Sequence, residues 1–257
     1  MNFVLALSGA IPALFCMWLV ERMDAKRPEP RWQLRKVAIL GGLSTIPVIL
    51  IQLPLDKLAP EGLAGALFTS YIVAAITEES AKAVVVWVGV WRNPAFDERM
   101  DGIVYATRAG LGFALVENIG YLLSSKSFGG FIGIFILRAV LAVPGHAIYA
   151  GFMGYWAARR RFDGKGPGLL GGLGIAILLH GTYDAALFSI GVLAKDGGMG
   201  VLLVLPLLLV PLAVVGGGFW RLKKHSRDAL LLDDAADAAA MLAARPRLPV
   251  GMGFVLR

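Results

Sequence analysis

The chain has one cysteine, Cys16, among 257 residues, which excludes a disulfide-stapled secreted scaffold. Lying inside the first apolar run, that thiol is expected to be a core residue. Charge is scarce too: 17% of the residues are Asp, Glu, Lys or Arg, where soluble chains carry about 25%. The deficit is concentrated, because residues 3–20, 37–55 and 197–220 contain no charged side chain, and 139–158 and 166–183 are interrupted only by His146 and His180. Runs of this length approach the ~20 apolar residues that a helix needs to cross a ~30 Å hydrocarbon core. Several catalytic signatures are missing as well. There is no HExxH, no GxSxG and no GxxxxGK[ST], so the familiar zincin, serine-hydrolase and P-loop chemistries lack their sequence marks. What is there, 57% hydrophobic residues and a mean hydropathy of +0.70, describes an integral membrane protein.

The expected fold is all-α, a polytopic bundle of about seven transmembrane helices at roughly 3–20, 37–55, 63–91, 102–123, 129–158, 169–190 and 199–220. The net charge of +7 records topology. Residues 21–36, 92–101, 159–168 and 221–228 hold six, two, four and four Lys/Arg, whereas the alternate loops hold one each, Lys57, Lys126 and Lys195. The positive-inside rule then puts the N-terminus outside and the C-terminus in the cytoplasm. The basic balance implies contact with the lipid bilayer and no nucleic acid. Because the basic cluster follows the first apolar run, that run is expected to be an anchor and not a cleaved signal. Spans three and five are long enough to tilt or kink, with Pro144-Gly145 the expected kink. Residues 1–225 form the transmembrane domain. Residues 226–257 form a cytoplasmic tail, in which Ser226 is expected to cap a short helix from Asp228 to Ala244 that Pro246 ends.

Some features carry little. The small residues Gly102, Ala106, Gly110 and Ala114 recur every four positions and read first as a packing stripe; a second use is close docking of a substrate helix. His225 lies in a Lys/Arg-rich juxtamembrane run and is given no role. The glycine cluster at 164–174 belongs to a hairpin between spans.

The polar groups within the spans are informative: Glu78, Glu79, Lys82, Arg108, Glu117, Arg138, His146, His180 and Asp184. Charged groups at these depths cost at least ~2.5 kcal/mol each on insertion scales, so they pair, face the interior or mark function. At 1.5 Å per residue, Glu78, Glu117, His146 and His180 all lie about 16–23 Å from the expected cytoplasmic ends of four different helices. Carboxylates and imidazoles converging at one level point to proton or metal chemistry. Glu78 and Lys82, at i,i+4, are expected to pair while Glu79 points about 100° away. His180 and Asp184 repeat the i,i+4 spacing, so the aspartate can orient the imidazole. Phe113 and Glu117 share a helix row, followed by Asn118.

Four boxes then resemble the PrsW family of intramembrane proteases. They are Thr77-Glu78-Glu79-Ser80-Ala81-Lys82, the run from Asp101 to Asn118, Pro144-Gly145-His146 through Gly151, and His180-Gly-Thr-Tyr-Asp184. They fall in order across about residues 70–185, the motif core. The related type II CAAX prenyl proteases read EExxxR, FxxxH and HxxxN; Lys82, Glu117 and Asp184 depart from that pattern and favour PrsW. The resemblance implies intramembrane peptide hydrolysis in a bacterial cytoplasmic membrane, with a single-pass membrane protein as substrate and an anti-sigma factor as the leading candidate. By this resemblance Glu78, Glu79, His146 and His180 are catalytic, and Lys82, Glu117, Asn118 and Asp184 support them. Water activation without a metal is preferred. The competing version binds zinc through Glu117, His146 and His180 with water in the fourth position. The reading from a different class is a proton-coupled transporter or channel, since buried carboxylate and histidine chains also relay protons.

Overall fold

A computed structural model describes residues 3–196 and 200–244. Among them there is helix and no strand. The helices are α1 (Phe3–Ala6), α2 (Ala10–Met23), α3 (Arg31–Leu43), α4 (Thr45–Asp56), α5 (Gly62–Phe68), α6 (Thr77–Gly89), α7 (Arg99–Leu123), α8 (Phe128–Leu137), α9 (Val143–Asp163), α10 (Gly168–Asp196) and α11 (Gly200–Ala243). Among the described residues, five stretches are long and apolar enough to cross a membrane: Val4–Met23, Arg31–Asp56, Phe128–Asp163, Gly168–Lys195 and Leu202–Ala243. The two remaining expected spans, 63–91 and 102–123, are helical but carry Glu78, Glu79, Lys82, Arg108 and Glu117, which lower their apolarity. Large apolar side chains such as Leu50, Val140 and Leu202 lie exposed, as a surface solvated by lipid requires.

The central element is α7, which packs on α2, α3, α6, α9 and α11. Residues Met100 to Ala114 are buried without interruption, so α7 has no lipid-facing stripe over that length. The expected small-residue stripe explains this. A Cβ on Gly102 would collide with the carbonyl oxygen of Gly154, one on Gly154 would collide with that of Gly102, and one on Gly110 would lie 2.8 Å from the His146 carbonyl oxygen. Helix α9 therefore fills the stripe, and the use as a docking groove for a substrate helix is corrected. Close backbone approach is what small residues provide in a bilayer, where no hydrophobic force drives helices together.

Two π-helical segments interrupt the bundle, Thr69–Ile76 between α5 and α6, and Arg138–Ala142 between α8 and α9. The second stands immediately before Pro144-Gly145, so the irregularity expected in span five is a π-turn leading into the proline. Each segment ends just before a motif, the first at Thr77-Glu78-Glu79 and the second four residues before His146. π-Turns of this kind concentrate at functional sites.

Other expectations are corrected. Span two begins at Arg31 and breaks at Ser44, whose Oγ donates to the Gly41 carbonyl at 2.7 Å. Ser226 does not cap a new helix; α11 runs through it, and its Oγ donates to the Leu222 carbonyl at 3.0 Å. Pro246 lies outside the described residues. His225 is buried, stacked 4.0 Å from Tyr155 and edge-on to Phe152 and Trp156. An apolar wall of α9 claims it, which the basic residues around it in sequence concealed. Cys16 is only half-buried, packed beside Ala13, Met17 and Leu111.

Candidate active site

The site forms where α6, α7, α9 and α10 meet. Lys82 is fully buried, and its Nζ donates to Glu79 Oε1 at 2.6 Å and to His146 Nδ1 at 2.8 Å, with Glu78 Oε2 at 3.6 Å. The ammonium also stands 4.6 Å from the centre of the Phe113 ring. The closer partner of Lys82 is thus Glu79, not Glu78. Both i,i+3 and i,i+4 neighbours share a helix face, and Glu79 is drawn inward because His180 Nδ1 donates to the same Oε1 at 2.8 Å.

Each imidazole is held at both nitrogens. His146 accepts from Lys82 at Nδ1, which leaves the proton on Nε2, and Nε2 donates to Glu117 Oε2 at 3.0 Å. His180 faces Glu79 through Nδ1 and Asp184 Oδ2 through Nε2 at 3.2 Å, as its i,i+4 spacing predicts. The two rings lie 5.3 Å apart, centre to centre. Glu117 is committed to Arg138, whose Nη2 donates at 2.5 Å. Arg138 Nε donates to Asn118 Oδ1 at 2.8 Å, and Asn118 Nδ2 donates to the Gly9 carbonyl at 2.7 Å. Asn118 is accordingly a brace between α7, the turn before α2 and the π-turn. A carboxylate and an amide at adjacent positions thus do different work, one on the imidazole and one on the backbone.

A cavity of about 740 Å³ reaches this cluster and is lined by Glu78, Glu117, His146, Tyr149, His180 and Asp184, among others. Glu79 and Lys82 stand behind its wall. Glu78 Oε1 accepts from Gln52 Nε2 at 3.3 Å, whereas Oε2 is buried without a hydrogen-bond partner. One ligand atom from each of Glu78, His146 and His180 lies within 4.8 Å of the other two. That grouping differs from the expected zinc set by having Glu78 in place of Glu117. One carboxylate and two imidazoles suit zinc by donor type, and the partnerless Glu78 Oε2 is the atom a cation would engage.

Three further residues complete the site: Tyr149 and Gln52, which were not singled out from the sequence, and Arg138, which was named there only among the polar groups within the spans. Tyr149 stacks on His180 with ring centres 5.2 Å apart and a 19° tilt, and its buried hydroxyl has no partner. Gln52 reaches Glu78 from α4, and Arg138 fixes Glu117. Tyr149 lies one helical turn after His146, a spacing that marks a shared face; Gln52 and Arg138 depend on tertiary approach.

The chain shows clear similarity to known proteins. Residues 29–211 match the family described as PrsW family intramembrane metalloprotease. It is 33% identical to Protease PrsW of Clostridioides difficile (strain 630) over 190 residues, 72% of this chain and 79% of that protein. Protease PrsW of Bacillus subtilis (strain 168) is 31% identical, across 73% of this chain and 84% of its own length. Protease PrsW of Oceanobacillus iheyensis is 30% identical over 227 residues, 87% of this chain and 97% of that protein. No solved structure matches the chain.

Proposed function

The chain belongs to the PrsW family of intramembrane proteases, and on that premise we propose that it hydrolyses a peptide bond in or beside the transmembrane segment of a single-pass membrane protein, a regulatory anti-sigma factor. The observation that carries the chemistry is the buried, partnerless Glu78 Oε2 facing a cavity beside two imidazoles. Glu78 takes a proton from a water, whose oxygen attacks the scissile carbonyl carbon. A carbon–oxygen bond forms and the carbonyl electron pair moves onto its oxygen. Tyr149, which lines the cavity and whose buried hydroxyl has no partner, donates to that oxyanion. The oxyanion pair then re-forms the carbonyl as the carbon–nitrogen bond breaks, His180, held by Glu79 and Asp184, delivers a proton to the leaving amine, and the proton taken up by Glu78 restores His180. Lys82 compensates the charge of Glu79, and Glu117, fixed by Arg138, orients His146.

A second reading is favoured by the convergence of Glu78, His146 and His180. These three residues would hold a zinc ion, which when bound supplies Lewis-acid polarisation of the carbonyl and a more acidic water. In that reading His146 would release Lys82 or Glu117, and His180 would release Glu79 or Asp184, to free a ring nitrogen for the ion, and Tyr149 still serves the oxyanion.

The proposed topology has seven crossings, with the N-terminus outside and the C-terminus cytoplasmic. It is supported by the five apolar helices, by the two charge-bearing helices packed among them, and by the alternation of basic loops. A substrate within the bilayer must enter laterally. Ile49 and Leu53 of α4, Ile134 and Leu137 of α8, and Leu187 of α10 line the cavity and offer an apolar approach.

The test is cleavage by the purified chain in lipid. A single-pass substrate is expected to be cut in or beside its transmembrane segment, and a casein-like soluble protein is not. Rapid cleavage of the soluble protein overturns lateral entry. Zinc is measured on the same sample, and stoichiometric metal with chelator-sensitive activity replaces the metal-free mechanism by the second reading.

A further inference from the structure

A second convergence of acidic side chains lies away from the cavity, where α2 ends, α3 begins and α7 starts. Asp24 follows α2, Glu29 precedes α3, and Asp101 stands in the first turn of α7. One carboxylate oxygen from each lies within 4.8 Å of the other two. Asp24 is 2% exposed and Asp101 is 0% exposed. Asp101 Oδ2 accepts the backbone N–H groups of Asp97 at 2.9 Å and Glu98 at 2.7 Å, while Oδ1 is buried without a partner. Glu29 Oε2 accepts from the Tyr105 hydroxyl. Both carboxylate oxygens of Asp24 are buried and partnerless.

That last fact separates the cluster from an ordinary acidic patch. A carboxylate withdrawn from water and given no donor costs several kcal/mol, and two more beside it add repulsion. Neither basic residue of the same loop pairs directly with them: Lys26 is exposed, 3.8 Å from Asp234, and Arg27 acts on Asp24 only through space. Arg27 is turned to Glu98 at 3.1 Å, Asp234 at 2.5 Å and Asp237 at 3.0 Å. Beside the cluster is a cavity of about 340 Å³, lined by Asp24 and Glu29 together with Arg22 and Arg31. Oxygen donors alone, in a site partly open to water, suit a hard cation that keeps some of its hydration; zinc prefers the nitrogen-bearing set around Glu78.

We propose that Asp24, Glu29 and Asp101 bind one divalent cation of the magnesium–calcium class, which ties the α2–α3 connection to the start of α7. The ion offsets two of the three negative charges and engages the free oxygens of Asp24 and Asp101. It stands apart from the proteolytic site, so its test does not depend on that function.

The full chain is purified in detergent, stripped with a chelator and moved to metal-free buffer at neutral pH. Mg²⁺, Ca²⁺ and Mn²⁺ are then titrated separately, with thermal unfolding and the electron paramagnetic resonance of Mn²⁺ as readouts. The expected result is one equivalent of bound Mn²⁺, displaced by Mg²⁺ or Ca²⁺, and a rise in Tm of roughly 3–8 °C at saturation. Asp24→Asn and Asp101→Asn are expected to weaken Mn²⁺ binding at least tenfold. Stripped Asp24→Asn should melt at or above the stripped wild type, because the substitution removes a buried charge, and should no longer respond to cation. A double His146→Ala, His180→Ala variant should keep the equivalent, which distinguishes this site from the membrane-embedded one. Glu29→Gln, at a half-buried position, serves if the aspartate variants do not fold. A wild-type chain that binds none of the three ions overturns the proposal, and so does undiminished binding in Asp24→Asn or, in its place, Glu29→Gln.

Discussion

Glu78 and Glu79 are adjacent in the chain and live in opposite surroundings. Each keeps one buried oxygen without a hydrogen-bond partner, but Glu79 is enclosed, its other oxygen accepting from both Lys82 and His180, whereas Glu78 lines the cavity. Glu78→Gln is therefore expected to cut cleavage by about 10²–10⁴-fold with Tm nearly unchanged, since it removes a base and little packing. Glu79→Gln is expected to lose activity and also about 3–5 kcal/mol of stability, because it leaves the buried Lys82 without its closest carboxylate. Single-turnover cleavage and thermal unfolding on the same preparations separate the two; near-normal activity in Glu78→Gln would remove the proposed base. The two histidines offer a parallel contrast. His180→Ala should abolish cleavage, whereas His225→Ala should lower Tm and spare most activity, because His225 only fills the aromatic wall of α9. Much of this scale could be read in advance. Helical spacing located Asp184 beside His180, and equal depth along four helices brought Glu78, Glu117, His146 and His180 together. The choice between Glu78 and Glu79 as partner of Lys82 could not be read, because both spacings are compatible with pairing and only α10 decides.

At the scale of elements, the seam between α7 and α9 sets the geometry. Gly102 and Gly154 meet backbone to backbone, and Gly110 meets the carbonyl of His146 itself. Gly154→Ala is expected to destabilise the protein by about 1–3 kcal/mol through overpacking. It should also depress activity, since the helices that carry Glu117 and His146 would be forced apart. Unfolding in detergent and cleavage rates check both effects; a neutral Gly154→Ala would mean that the seam is looser than described. The four-residue recurrence of small side chains announced close packing, and α9 is the partner. The π-turns left almost no mark in sequence. Pro144 hints at the second, but nothing in Thr69–Ile76 distinguishes a wider helical turn from an ordinary one, because the difference lies in which carbonyl each N–H selects.

Across the whole molecule, a tag at residue 162 is expected to be cytoplasmic and one at residue 126 external, by accessibility labelling in intact cells; the reverse labelling would overturn the proposed topology. The apolar runs were legible because lipid demands unbroken hydrophobicity. The reach of α11 was not, because its amphipathic second half looked like a separate tail. That half is attached to the rest of the protein: Asp233 accepts from the Arg99 side chain and the Arg99 and Met100 backbone, while Asp234 and Asp237 hold Arg27.

The polar network of the site also bears on ion leakage. From Asp184 it runs through His180, Glu79, Lys82, His146, Glu117, Arg138 and Asn118 to a peptide carbonyl at Gly9. A Grotthuss wire needs every member to take up a proton and pass another on. A guanidinium keeps its proton at any physiological pH, and neither the amide nor the carbonyl relays one. The chain of hydrogen bonds therefore ends in an insulator. Protons shuttled during hydrolysis would stay in the cavity, and the membrane potential would not discharge along this route, so vesicles containing the protein should acidify no faster than empty ones under a pH gradient.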